Sequence, residues 1–382
     1  MADAQDATML LDIDGLESLL ESLRGRGYTV IAPTVRDGSI AYEPVTSAAH
    51  LPRGVGDEQG PAHYRLRDRG DDARFGFATA PSSWKRHLYP PHTTLWHAQR
   101  DPEGTLVFEE TRAPVPRYAF LGVRACELAA ILVQDRVFAT AAYPDPTYAA
   151  RRQELFIIAV HCGSPSGVCF CTSMGTGPRS KEGFDLAITE LLDGDVPRYV
   201  VEIGTPAGAE VMRELGAQPA TTHDIEAAVA VTDDSARRMG RQMDTHGLPE
   251  LLHRNLDHPR WDDVAARCLS CGNCTMACPT CFCSDDIEVE APDGESTSRV
   301  RDWASCFSRD FSYIHGGTIR QTTRSRYRQW MTHKLGTWWE QFGTSGCVGC
   351  GRCIAWCPVG IDITEEAAMI RSTDGARVET ST

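Results

Sequence analysis

Apolar residues first recur at helical spacing over residues 9–24, where Leu16, Leu19, Leu20 and Leu23 share one face. Gly25 and Gly27 end that helix, and Tyr28–Ala32 reads as a strand stopped by Pro33. Asp37-Gly38 is a hairpin signal, so a short strand around Ser39–Tyr42 should fold back on it. His63–Leu66 and Phe75–Ala78 read as further strands. Two apolar runs follow, Tyr118–Val123 and Leu155–Val160, with a largely apolar helix, Leu128–Val137, between them. Strand, helix, strand in that order predicts a parallel βαβ unit. A strand at Arg198–Ile203, a helix over Ala207–Leu215 and an apolar stretch at Ala227–Val231 complete the pattern. The pieces predict an α/β or α+β domain over residues 1–245, with the boundary on the glycine and proline near 240–250.

One patch interrupts this pattern. Trp84 and Lys85, followed by Leu88, Tyr89 and Pro90-Pro91, could face a cofactor or partner. The simpler reading makes Trp84 and Tyr89 core anchors and leaves Lys85 in solvent.

Beyond residue 245 the cysteines set the pattern. Cys268-x2-Cys271-x2-Cys274-x3-Cys278-Pro279 is followed by Cys347-x2-Cys350-x2-Cys353-x3-Cys357-Pro358, with identical internal spacing. That is the bacterial ferredoxin run, whose fourth cysteine ligates the other cluster. The expected sets are therefore Cys268, Cys271, Cys274 and Cys357 on one 4Fe–4S cluster, and Cys347, Cys350, Cys353 and Cys278 on the other. Thiolates also suit zinc, but structural zinc commonly takes two CxxC pairs, not three-residue steps ending in Cys-Pro. Proline after the fourth cysteine removes a backbone donor and stops an ordinary helix. Residues 246–382 are thus expected to form a ferredoxin-like, mainly helical dicluster domain with a long insertion between the runs.

Four more cysteines fall in the first domain. Cys126 follows the first apolar strand, and Cys162 follows the second. Open α/β sheets place ligands at the carboxyl ends of their strands. Cys169 and Cys171 lie just beyond, in a loop rich in small residues. The four are expected to converge and hold a third 4Fe–4S cluster; the alternative is that some are small buried core residues. Gly175-x-Gly177 is followed by proline and lacks a third glycine, so it is no dinucleotide fingerprint, and no P-loop is present. Neither nucleotide nor flavin is expected on this chain. Within the insertion, Cys281, Cys283 and Cys306 are either ligands of a further cluster, with His315 as one candidate fourth ligand, or neighbours that tune the other clusters. Arg301–Lys334 is basic, with Arg320, Arg324, Arg326 and Arg328. It reads as a solvated helix face or as positive charge set against anionic clusters, and Trp330, Trp338 and Trp339 imply that it is docked.

Composition narrows the class further. A net charge of −14 disfavours nucleic acid as a partner. No run approaches the ~18 apolar residues of a membrane span, and MADAQDATML lacks the basic-then-apolar order of a signal peptide. Fifteen cysteines without an export signal fit a reducing compartment and metal ligation. A cytoplasmic protein with no membrane contact is expected.

Taken together, the motifs resemble the iron–sulfur beta subunit of cytoplasmic NAD(P)-linked NiFe hydrogenases of the sulfhydrogenase type, a family closely similar to the A subunit of anaerobic sulfite reductase. The resemblance rests on Gly27-Tyr28 with Ala32-Pro33-Thr34, Ser83-Trp84-Lys85 with Pro90-Pro91, and Gly122-Val-Arg124-Ala-Cys126. It continues through Cys169-Phe-Cys171-Thr-Ser-Met-Gly, Cys278-Pro-Thr-Cys281-Phe-Cys283, Trp303-Ala-Ser-Cys306 and Gly346-Cys347-Val-Gly-Cys350-Gly-Arg-Cys353. Ala125 stands where relatives tend to carry proline. The resemblance implies a non-catalytic electron-transfer subunit. It would work between a flavoprotein that oxidises NAD(P)H and the small and large subunits of a NiFe hydrogenase. A sulfite-reducing partner or a redox-sensing role are the competing readings.

Overall fold

The computed structural model describes residues 8–110, 115–140, 142–194 and 196–375. The MADAQDA segment at the start of the chain lies outside them.

The larger sheet has eight strands. At its centre run Tyr118–Val123, Phe156–Val160 and Leu186–Leu191, mutually parallel, with Thr29–Arg36 parallel to the first of them. Phe156–Val160 is buried at every position, as expected of a parallel strand covered on both faces. Antiparallel strands flank this core: Ser39–Pro44 on one side, and Arg198–Ile203, Thr8–Leu11 and Gln218–Pro219 on the other. The expected βαβ unit is present, its helix running from Ala125 to Phe138.

The first helix starts later than the apolar spacing suggests. Asp12 caps it by accepting from the Gly15 amide at 2.8 Å, so Ile13–Gly25 is helical and Thr8–Leu11 pairs as a strand instead. All four leucines of the expected face are buried. Pro33 does not stop its strand. Pairing to the parallel neighbour ends at Ile31, while Pro33 stays in register with Tyr42 on the hairpin side. The ring sits over Gly122, where a β-carbon would come within 2.8 Å of it. Asp37 and Gly38 both take positive φ, as a two-residue primed turn requires.

Phe75–Ala78 is not a strand. Its carbonyls are taken instead by the buried Arg124 guanidinium, which donates to Phe75 O, Phe77 O and Ala78 O, and also to His161 O. A single side chain thus satisfies backbone acceptors that would otherwise need a ladder.

The C-terminal part is mixed rather than mainly helical. Helices Leu248–Arg254, Arg260–Arg267, Thr323–Thr332 and Ile363–Ser372 surround the two cysteine runs, but the insertion forms the hairpin Ser284–Glu290 and Ser296–Trp303. That hairpin joins His92–Arg100 and Leu106–Glu110 in one antiparallel sheet. Strands from both sides of residue 245 therefore share a ladder. Val168 and Phe170 likewise pack into the same apolar cluster as Trp261, Trp330 and Ile354. Among the described residues no helix is long and apolar enough to cross a membrane.

Candidate metal centres

The two cysteine runs adopt the same local conformation. In the first, Ser270 and Gly272 have φ of 52° and 77°; in the second, Gly349 and Gly351, at the equivalent positions, have 66° and 75°. A left-handed residue on each side of the middle cysteine curls the chain around a central space. Short helices follow, Asn273–Met276 and Arg352–Ala355, and they pack on each other. The sequence repeat is therefore a structural repeat.

Cysteines of the two runs also share one cavity. Cys268, Cys271 and Cys274 of the first run line a common cavity together with Cys357 and Cys353 of the second. Phe307, Tyr327 and Trp330 close its apolar side. Cys278 leaves the first run toward the second. There Thr280, two residues on, donates to Gly346 O at 2.6 Å, immediately before Cys347. Cys347 and Cys350 are buried, Cys353 and Cys357 half-buried, and Cys271 is exposed.

Two of the middle cysteines lie against the second run. Cys126 and Cys171 pack in one small apolar cluster with Val348 and Cys350, so this set abuts the second run. Cys162 donates its backbone amide to Pro178 O at 3.1 Å, folding the intervening loop back over the strand end. Phe170 N donates to Gly349 O at 2.9 Å. A β-carbon on Gly349 would meet Cys171 Cα at 2.7 Å, and one on Gly351 would meet Val168 O at 2.4 Å. These two glycines thus serve twice: they shape the second run, and they let the 168–171 loop lie against it.

The sulfur environments suit thiolate-held clusters. Amide groups donate to Cys268 Sγ from Ser270, to Cys357 Sγ from Ile361, to Cys347 Sγ from Gly349 and to Cys169 Sγ from Ser166, at 3.3–3.5 Å. Hydrogen bonds to sulfur are among the levers that set cluster potential. Burial pushes the Cys347 and Cys169 thiols up to about 12, and burial raises Cys126 and Cys274 as well. Free buried thiols would stay protonated, whereas a bound metal deprotonates them. Among the described residues, no three His, Cys, Asp or Glu are placed to hold a single metal ion.

Several charged residues near these thiols carry roles that pattern reading did not assign. Lys85 is buried rather than solvated: its Nζ donates to Cys281 O at 2.9 Å and lies 3.8 Å from the Trp303 ring centre. Trp84 and Tyr89 are core anchors, as the simpler reading holds. Arg352, between Cys350 and Cys353, is buried and ion-paired with the equally buried Glu127, next to Cys126. Lys334 Nζ donates to Cys278 Sγ at 3.2 Å. Arg324 and Arg328 of the basic stretch pair with Asp262 and Asp257, while Arg326 turns inward to Ser270 Oγ. A compositional signal for the buried lysines does exist: only three of the 38 basic residues are lysine, Lys85, Lys181 and Lys334. His315 sits exposed at the turn of a small hairpin, with φ of 25°.

Residues 267–361 match the 4Fe-4S dicluster domain family. Over 249 residues the chain is 31% identical to the Sulfhydrogenase 2 subunit beta of Pyrococcus furiosus, covering 64% of this chain and 72% of that protein. The chain belongs to the sulfhydrogenase beta subunit family. No solved structure matches it. Family membership agrees with the motifs quoted above, from Ser83-Trp84-Lys85 to Cys353. Three of those motifs have a clear structural place: Lys85 over Trp303, Arg124 holding the 75–78 loop, and Thr280 bridging the two runs.

Proposed function

We propose that the chain is a non-catalytic subunit that relays single electrons through three 4Fe–4S clusters. The ligands are Cys268, Cys271, Cys274 and Cys357 for the first, Cys347, Cys350, Cys353 and Cys278 for the second, and Cys126, Cys162, Cys169 and Cys171 for the third. The observation that carries this reading is the cavity in which three cysteines of one run meet Cys357 of the other. When bound, the clusters supply one-electron carriers. The chain itself contributes burial, amide donors to sulfur, and a fixed order. The third set abuts Cys350 through Cys126 and Cys171, and the first set shares Cys353 at its cavity wall.

Two places bring cysteine near the surface. Cys271 is exposed at one end of the series. The second is an open cleft between the Thr172–Thr176 loop, Thr245–Glu250 and Trp339, which reaches Cys347 of the second run, the middle set of the series. Two ports fit two partners: a flavoprotein subunit oxidising NAD(P)H, and the small and large subunits of a NiFe hydrogenase. The name of the Pyrococcus relative, a sulfhydrogenase subunit, favours hydrogenase over sulfite reductase as the catalytic module. We place the complex in the cytoplasm, where thiols stay reduced.

The test is an iron and acid-labile sulfide count on anaerobically purified chain. About 12 irons are expected, since each cube carries four. A variant with serine at Cys126, Cys162, Cys169 and Cys171 should fall to about 8. Zinc without sulfide would refute the relay, and about 8 irons in the unaltered chain would refute the third cluster.

A further inference from the structure

We propose that Lys334 raises the second cluster's reduction potential by holding a positive charge against the sulfur of Cys278. This rests on the reading that Cys278 ligates that cluster.

Lys334 leaves a short π-helical turn, His333–Thr337, between the helices Thr323–Thr332 and Trp338–Phe342. Such wide turns redirect a side chain and often mark functional sites. The ammonium is buried, 3% exposed. It donates to Cys278 Sγ at 3.2 Å, Thr280 Oγ1 at 3.2 Å and Gly346 O at 3.1 Å, so all three of its protons are used. The same segment is clamped from the other direction, because Gly346 N donates to Lys334 O at 2.8 Å. Position and donor directions are therefore fixed.

Among the described residues no carboxylate lies within ion-pairing distance of Lys334 or of the second buried lysine, Lys85. Burying an ammonium without a counter-charge is strongly unfavourable. A protein with 52 acidic residues has placed none of those described beside these two lysines. The nearby groups able to carry negative charge are thiols. Lysine's compact charge suits contact with one sulfur, whereas the guanidinium fork suits the paired oxygens of a carboxylate. The 35 arginines and three lysines of this chain divide in that way at the site: Arg352 takes Glu127, and Lys334 takes Cys278.

One-electron reduction adds one negative charge to the cluster and its thiolates. A fixed cation bonded to a ligand sulfur stabilises the reduced form more than the oxidised form, which raises the potential. Lys85 is the internal comparison. It is buried nearby, but its ammonium donates to the Cys281 backbone oxygen and lies over the Trp303 ring instead of bonding a ligand sulfur.

The experiment is an anaerobic redox titration of the purified chain followed by EPR, on the unaltered protein, Lys334→Gln, Lys334→Met and Lys85→Gln. Iron and sulfide are counted on each. In both Lys334 variants, one cluster should need at least about tenfold more reducing conditions for half-reduction, about 59 mV for a one-electron couple. The other clusters should stay in place, and Lys85→Gln should move the same signal less. Unchanged potentials in both Lys334 variants would overturn the proposal. So would an equal shift in Lys85→Gln, or loss of four irons from both Lys334 variants, which would mark Lys334 as a structural support. A chain lacking iron and sulfide altogether would instead overturn the relay reading on which this one stands.

Discussion

Replacing Glu127 by glutamine tests how the two halves of the chain are held together. Glu127 is 1% exposed and follows Cys126 on the central helix. Its carboxylate accepts from Tyr42 Oη at 3.0 Å on both oxygens, from Trp84 Nε1 at 3.1 Å, from the Arg124 amide at 3.3 Å, and from Arg352. Donors thus face both oxygens. A glutamine keeps one acceptor and turns an NH2 toward at least one donor, leaving the buried Arg352 cation without its counter-charge. Breaking a buried ion pair from one side costs about 3–5 kcal/mol. Because the amide oxygen still serves one face, we expect about 3 kcal/mol. At about 2.1 cal/mol/K per residue, the unfolding entropy for this chain length is roughly 0.8 kcal/mol/K, so the thermal midpoint should fall by about 4 °C. The assay is anaerobic thermal unfolding by circular dichroism, at one scan rate and equal iron content. Arg352→Met and the double variant complete the cycle, and the double should be milder than the sum by about 2 kcal/mol. A midpoint within about 1 °C of the unaltered chain, or strict additivity, would refute the claim that this pair holds the halves together.

Two further outcomes are expected. His87 packs against Trp84, Tyr118 and Phe120, and burial lowers its pKa from 6.5 to about 4. In that interval the unfolded chain binds the proton that the folded chain refuses. Stability should therefore drop as pH falls from about 6.5 to about 4, by roughly 3 kcal/mol. His87→Phe should remove this component from the pH dependence of the thermal midpoint; matching profiles for the two proteins would contradict it. Gly351→Ala forces a β-carbon onto Val168 O in a left-handed conformation and should cost more than about 2 kcal/mol. Gly104→Ala, also at positive φ but in open space, should cost less than half as much. Equal effects on the thermal midpoint would show that the close approach is not what requires glycine at 351.

The local elements were legible where one physical signal acted alone. Leu16, Leu19, Leu20 and Leu23 marked their helix face because a 3.6-residue period buries one stripe. Asp37-Gly38 marked its turn because few residues accept positive φ. The two cysteine runs were legible as a dicluster module because cluster ligation demands fixed spacing, and residues 267–361 match that family. Where two signals competed, the one set by tertiary neighbours prevailed. Pro33 reads as a stop, yet its strand continues, because pairing to the parallel neighbour has already ended at Ile31 and the missing N–H breaks no bond there. Phe75–Ala78 reads as a strand, yet Arg124 takes its carbonyls.

Sequence alone thus determined the metal chemistry of the C-terminal runs, the parallel strand–helix–strand unit and the family, all of which depend on residue type and short-range spacing. Tertiary structure alone decided which charges sit against which sulfurs. Lys334 lies 56 residues from Cys278 in the chain, and Arg352 lies 225 from Glu127. Partners so far apart leave no period or spacing to read. They are matched by the cost of burying an unpaired charge, and that cost exists only once the surrounding core has closed.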